Sequence, residues 1–169
     1  VGILLDKLEE RGLGDDTVFV FLADHGSTRK GSLHSREGTA VPFLVRWPNG
    51  APAGVVSKAM VQSTDLVPTW FDLAGAELPE GYGMDGISMA PILRDPSAST
   101  RDHVFCEQGM ARSVKTADFE YIALRWTEEQ LEGFRSGQKG ALKAAMGLSG
   151  GVARTWDEPS LSLIHISEP

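Results

Sequence analysis

The sequence has one cysteine, Cys106, among its 169 residues, which excludes an internal disulfide and any cysteine-rich zinc site. It has no apolar run long enough to cross a bilayer. Positive charge is also scarce, because 16 Lys and Arg stand against 23 Asp and Glu, for a formal net charge of −7. A surface that wraps a polyanion is therefore not expected, and neither is a nucleic-acid partner.

The two ends of the chain lack the usual signals as well. Val1 lies inside an apolar pattern, with no initiator methionine, charged leader or signal peptide before it. The last ten residues, 160–169, differ in style from the rest and resemble translated sequencing-adapter read-through. We therefore expect an internal fragment of a longer protein with a non-native tail, and assign no functional role to His165.

The residues that are present favour an α/β fold. Val1, Leu4 and Leu8 recur at helical spacing, and residues 17–23 (Thr-Val-Phe-Val-Phe-Leu-Ala) follow as a strand that is apolar on both faces. Such strands are usually buried on both sides, as in a parallel sheet. A second apolar strand is predicted at residues 42–47, and a helix capped by Ser63 or Thr64 follows it.

The pattern changes towards the C-terminus, where short strands are separated by Gly109 and Asp118. Close spacing predicts hairpins and an antiparallel sheet, and Thr127 begins a capping box that opens a helix. We predict that residues 1–98 belong to an α/β domain and residues 99–155 to a small α+β subdomain, with residues 160–169 as the tail.

Asp24-His25-Gly26 directly follows the first predicted strand. Ligand sites of α/β sheets lie beyond the carboxyl ends of strands, and a carboxylate and an imidazole emerging together there can bind a divalent cation. On spacing alone, an aspartate that caps a turn beside an ordinary surface histidine is the commoner interpretation of such a motif.

The loop that follows carries Lys30, His34 and Arg36. A lysine next to a metal site supplies a compact positive charge for a sulfate or phosphate oxygen. His34 and Arg36 could reach the same oxyanion, or His34 could act as an acid. Without further context, loop side chains of these three types are more often solvated.

These motifs resemble those of the sulfatase family, within the alkaline-phosphatase-like superfamily, over roughly residues 1–126. The matching elements are Asp24-His25-Gly26, Lys30, Glu37-Gly38-Thr39-Ala40-Val41-Pro42, Ser63-Thr64-Asp65-Leu66-Val67-Pro68-Thr69, Asp85-Gly86-Ile87-Ser88, Pro91-Ile92-Leu93, Arg112-Ser113-Val114-Lys115-Thr116 and Phe119-Glu120-Tyr121-Ile122. The resemblance implies part of a mostly parallel α/β/α sandwich followed by a small antiparallel sheet.

The resemblance also implies roles for particular residues. Asp24 and His25 match the family's ligands for Ca²⁺ (or Mg²⁺), and Lys30 matches the lysine that contacts the sulfate and the nucleophile. The candidate catalytic residues are Lys30 and His34, and the candidate substrate-binding residues are Lys30 and Arg36. The implied activity is hydrolysis of a small-molecule or carbohydrate sulfate ester by a periplasmic or secreted enzyme.

Two departures from the family pattern limit what this chain can do alone. Ala40 stands where the family usually has arginine, and no Cys/Ser-x-Pro-x-Arg is present to yield the formylglycine nucleophile. Cys106 lacks that context and is interpreted as a small core residue of a strand. Formylglycine is therefore expected in a missing N-terminal half, and the chain alone is expected to be inactive.

Two alternatives stay open. Metal and oxyanion chemistry barely separates sulfate from phosphate, so a phosphodiesterase or phosphonate monoester hydrolase of the same superfamily fits the same residues. A non-catalytic α/β module, in which Asp24 and His25 merely end a strand, belongs to a different class.

Overall fold

The computed structural model describes residues 1–26, 36–108, 111–136 and 161–165. The chain forms two compact units, one of Val1–Leu22 with Phe43–Val104 and the other of Ala23–Pro42 with Phe105–Pro169. These units do not coincide with the predicted division at residue 98. The segment 23–42, which carries the candidate site, groups with the C-terminal residues.

In the first unit, helix α1 (Gly2–Glu10) precedes strands β1 (Phe19–Leu22) and β2 (Phe43–Arg46). The helix is confirmed, and it is followed by Gly12 with a φ of 66°. The two strands are also confirmed, but they pair antiparallel, with Phe19 opposite Arg46. The expectation that both faces of these strands are buried is wrong within the described residues.

Exposed apolar side chains mark the outer faces of this unit. Phe21 is 40% exposed and Leu44 is 61% exposed. No residue of α1 is buried, and Ile3 and Leu4 point their side chains largely into solvent. The apolar pattern of α1, β1 and β2 is therefore not matched by burial among the described residues.

The helix after β2 starts as a 3-10 turn (Ser63–Asp65) and continues as α3 (Leu66–Ala74). Its predicted caps, Ser63 and Thr64, are wrong, because Gln62 occupies the cap position and its backbone N–H donates to Asp65 Oδ2 at 2.9 Å. The predicted end is right. Gly75 has a φ of 62°, a conformation that glycine adopts without the steric cost paid by other residues.

Asp65 is the fully buried centre of the first unit, with an exposure of 0%. Its Oδ1 accepts the Ile87 N–H at 2.9 Å and forms an ion pair with Arg101, whose side chain is 8% exposed. Its Oδ2 accepts the N–H of Gln62. One carboxylate therefore joins the start of α3 to two later segments, which are 22 and 36 residues further along the chain.

A second set of hydrogen bonds, made by Thr69, also connects α3 to a later segment. The buried Thr69 hydroxyl donates to the Asp65 carbonyl at 2.6 Å and accepts the Met89 N–H at 2.8 Å. Gly86 packs so closely that an added Cβ would lie 2.1 Å from the Thr64 carbonyl oxygen. The loop before helix α4 (Ala90–Arg94) is thereby held against the start of α3, and position 86 has no room for a residue larger than glycine.

The second unit contains the predicted antiparallel sheet. Its strands are β3 (Val104–Gln108), β4 (Ala111–Lys115), β5 (Phe119–Leu124) and β6 (Leu161–His165), hydrogen-bonded in that order. Helix α5 (Glu128–Arg135) follows β5, as the capping box predicted. This unit also contains the one-turn helix α2 (Arg36–Thr39), which ends the loop that carries the candidate oxyanion-binding residues.

Strand β6 comes from the segment that the sequence excluded from the fold. Leu161–His165 pairs antiparallel with β5, with Tyr121 opposite Leu163. In this structure these residues form a strand of the sheet. The non-native origin of the tail stays a prediction.

We predict that Asp65→Asn strongly destabilises the first unit. The substitution keeps the shape of the side chain but leaves the buried Arg101 guanidinium without its counter-charge, a loss that typically costs about 3–5 kcal/mol. Urea denaturation followed by tryptophan fluorescence measures the change. Asp72→Asn on the exposed side of α3, where the carboxylate accepts only a Ser88 hydroxyl in the described structure, should cost no more than about 1 kcal/mol. Equal losses in the two variants would contradict a central role for Asp65.

Candidate functional site

A narrow backbone neck carries the candidate metal ligands. The Ala23 N–H donates to the Pro42 carbonyl at 3.3 Å, and the Gly26 N–H donates to the Gly38 carbonyl at 3.0 Å. These two bonds join the segment that leaves β1 to the segment that returns to β2. Asp24 and His25 lie between them, so their backbone is held from both sides.

The orientation of the His25 ring follows from one hydrogen bond. Its Nδ1 lies 2.7 Å from the Gly26 carbonyl oxygen, and because a carbonyl only accepts, Nδ1 carries the proton in the neutral ring. The lone pair is then on Nε2, which lies 3.7 Å from Asp24 Oδ2. Metal-binding histidines commonly have their other ring nitrogen fixed in this way.

The Asp24 carboxylate has one oxygen engaged and one turned towards this lone pair. Its Oδ1 accepts the His25 N–H at 3.0 Å, the bond that a turn-capping aspartate would also make. Its side chain is 88% exposed and that of His25 is 40% exposed. An accessible carboxylate oxygen and an imidazole nitrogen 3.7 Å apart suit two adjacent ligands of one divalent cation.

These two residues alone do not complete a metal site. Across the part of the chain that the structure describes, no group of three or more His, Cys, Asp or Glu side chains is placed to hold a metal ion. A hard cation such as Ca²⁺ takes six to eight oxygen ligands in typical sites. Asp24 and His25 therefore fit the predicted cation as contributors to a larger ligand set.

The oxyanion-binding residues predicted from the sequence are less fully described. Lys30 and His34 lie outside the described residues. Arg36 begins helix α2, but only its backbone belongs to the part of the chain that the structure describes. The roles assigned to these three residues therefore stay predictions, and only the return of their loop, from Arg36 onward, has a described backbone.

The sequence interpretation missed Lys115, the residue that the structure connects to this return segment. Lys115 Nζ lies 3.3 Å from the Thr39 hydroxyl and 3.4 Å from Glu120 Oε2. The sequence did contain a signal for the second contact. Lys115 and Glu120 flank the predicted turn between β4 and β5, and this register places them opposite each other.

Cys106 lies near Ser113 and Lys115 and does not have the character of a nucleophile. It is a half-buried residue of β3, as predicted. Burial raises the pKa of the Cys106 thiol, with Glu120 adding to the rise, while Lys115 and a hydrogen bond with Ser113 act in the opposite direction. The net rise favours the protonated, unreactive form.

Comparison with known proteins gives consistent matches. The Sulfatase family profile matches residues 1–76. The chain is 35% identical over 99 residues to an ulvan-active sulfatase from Formosa agariphila, covering 59% of this chain and 19% of that protein. It is 34% identical over 116 residues to an arylsulfatase from Hemicentrotus pulcherrimus, covering 60% and 21% of the respective chains.

Solved structures match the chain as well. One, described as a complex with its substrate D-glucosamine-2-N,6-O-disulfate, superposes with a TM-score of 0.63 at 27% identity, covering 73% of this chain and 28% of that one. This likeness confirms the α/β fold class. These matches support a fragment of a sulfatase-family protein. It spans about a fifth of the length of the curated relatives it matches.

Among the described residues, no helix has the length and apolar character needed to cross a bilayer.

We predict that Asp24→Ala and His25→Ala each weaken binding of a divalent cation. Losing a residue that merely supports a metal ligand typically costs about 10–100-fold in affinity, and losing a ligand should cost at least as much. Calorimetric titration of the full-length protein with Ca²⁺ and with Mg²⁺ measures the effect. Asp16→Ala, which removes an exposed carboxylate shortly before β1, serves as the matched control. Unchanged titrations for both site variants would instead support a turn-capping role.

Proposed function

We propose that this chain is part of a sulfuric ester hydrolase in which Asp24 and His25 supply two ligands of a divalent cation. The observation that carries the proposal is the approach of His25 Nε2 to Asp24 Oδ2, within the segment that matches the sulfatase profile. In this proposal Lys30 and Arg36 bind the sulfate oxygens, and His34 donates a proton or a hydrogen bond. The coarser assignment, a protein of the sulfatase family, is the one that the matches support directly.

The chemistry proposed for these residues is electrostatic. When bound, Ca²⁺ or Mg²⁺ would supply positive charge beside the sulfate group and so stabilise the negative charge of the ester and of its transition state. Asp24 and His25 would hold the cation, because the two neck hydrogen bonds restrain their backbone. The Lys30 ammonium adds a second positive charge on the substrate side. We expect the formylglycine nucleophile to lie outside this chain.

The proposed substrate class is a carbohydrate or small-molecule sulfate ester. One relative is named for activity on ulvan, and one similar structure is described with a disulfated glucosamine as its substrate. Others are an arylsulfatase and a steryl-sulfatase, so the relatives do not single out one ester. The periplasmic or secreted location predicted from the resemblance belongs to the same proposal.

We predict that the full-length protein hydrolyses a chromogenic aryl sulfate and that the 169-residue chain alone does not. The chain has no Cys/Ser-x-Pro-x-Arg and carries only part of a ligand set for the cation. Assays of both proteins with an aryl sulfate and a matched aryl phosphonate test this prediction. A strong preference for the phosphonate would support the phosphonate monoester hydrolase alternative. Metal-dependent turnover by the isolated chain would contradict the proposal that its nucleophile lies elsewhere.

We predict that Lys30→Ala lowers kcat/KM for a sulfate ester by roughly 10²–10³, the scale for losing one donor to the transition state. Metal affinity should stay near that of the unchanged protein, because Lys30 contacts the substrate in this proposal. Steady-state kinetics and a metal titration together check both expectations. Lys7→Ala, which removes an exposed lysine paired with Glu10 on α1, is the control. A Lys30→Ala protein with unaltered kcat/KM would remove the basis for its oxyanion role.

A further inference from the structure

The inner face of the antiparallel sheet carries charged and polar side chains where an apolar core is usual. Ser113 is 1% exposed and Glu120 is 3% exposed. The Lys115 side chain is 16% exposed and lies 3.4 Å from Glu120 Oε2. Lys115 and Glu120 face each other in the register of β4 and β5, so the strands themselves hold the pair together.

Stability alone does not account for this pair. A buried ion pair is often no more stabilising than well-packed apolar residues of similar volume, because both charges lose their hydration. One atom adds to the cost, since Glu120 Oε1 has no hydrogen-bond partner among the described residues. Buried polar atoms of this kind commonly reflect a requirement other than stability.

The third contact of this cluster suggests what the requirement is. Besides Glu120, Lys115 reaches the hydroxyl of Thr39, which is 76 residues earlier in the chain. Thr39 is the last residue of α2, and its neighbour Gly38 accepts the Gly26 N–H of the neck. A single ammonium therefore connects the sheet to the segment that closes the candidate site.

Helix α2 needs such external support. It has four residues, and isolated helices of that length are not stable in water. The single turn does not offset the free-energy cost of helix nucleation. No residue from Gly38 to Pro42 carries a charge, so this part of the segment has no cation of its own. The Lys115 ammonium enters from the sheet at the point where the turn ends.

We propose that Lys115 is a positioning residue for the candidate metal site, held by Glu120 and acting through Thr39. By fixing the end of α2, it fixes Gly38, whose carbonyl accepts the Gly26 N–H of the neck that carries Asp24 and His25. Small displacements matter in such sites, since an error of about 1 Å in the placement of a reacting group can cost roughly 10²-fold in rate. The inference rests on the proposed function, because its catalytic effect is defined only for a working hydrolase.

The experiment uses four variants of the full-length protein. Lys115→Met removes the charge but keeps an extended side chain, and Lys115→Arg keeps the charge. Thr39→Val removes the hydroxyl while leaving the pair of Lys115 with Glu120 intact, so it stays informative if loss of the buried charge prevents folding. The double variant combines Lys115→Met with Thr39→Val. Arg112→Met, on the same strand but in a partly exposed ion pair with Glu107, is the control.

We expect Lys115→Met to lower kcat for a sulfate ester by about 10–100-fold, the scale for residues that support a site. Thr39→Val should lower kcat in the same direction, and the double variant should be no worse than the worse single variant, because both changes break one link. Lys115→Arg should recover most of the activity, and Arg112→Met should keep it. Unchanged kcat in Lys115→Met and Thr39→Val, or losses that multiply in the double variant, would overturn the inference.

A second measurement does not depend on activity. Hydrogen exchange at the Gly26 amide should become roughly five- to tenfold faster in Thr39→Val, the factor that corresponds to losing one hydrogen bond near the neck. Unchanged exchange at Gly26 would show that Thr39 does not restrain the neck and would overturn the inference. If the unaltered protein cleaved no sulfate ester, the proposed function would fail, and exchange at Gly26 would still decide whether this link exists.

Discussion

The geometry of the candidate site depends on the pair of backbone hydrogen bonds that join residues 23 and 26 to residues 42 and 38. They join two stretches of chain into one neck, with two candidate metal ligands on the outgoing stretch and helix α2 on the returning one. Backbone bonds suit this task because they do not depend on side-chain identity. The side chains of Asp24 and His25 are then left to face a ligand.

The parts of the fold that sequence predicts well are those that local chemistry determines. Helix α1, the glycine that ends α3, the strands β3 to β5 and the start of α5 all follow from spacing and turn residues. The Asp24-His25-Gly26 motif was found in the same way, because a polar motif directly after an apolar strand is visible in the sequence. Its geometry, with Nε2 turned to Asp24, required the coordinates.

What sequence did not predict depends on partners far along the chain. The direction of β2 relative to β1 is not encoded in apolar residues that would suit either pairing. The capping role of Gln62 depends on Asp65, a buried carboxylate that looks like any surface aspartate in the sequence. Lys115 is a similar case, since a lysine in an amphipathic strand is normally assigned to the solvent side, whereas here its side chain is 16% exposed.

The 76-residue separation between Thr39 and Lys115 has a consequence for biosynthesis. Ribosomes add about 5–20 residues per second, so roughly 4–15 seconds pass between synthesis of the neck and synthesis of the lysine that supports it. During that interval the nascent site segment lacks its anchor in the sheet, whatever its local bonds. Completion of the site is thus tied to completion of the C-terminal sheet, and a chain that stops before β4 would carry the motif without its support.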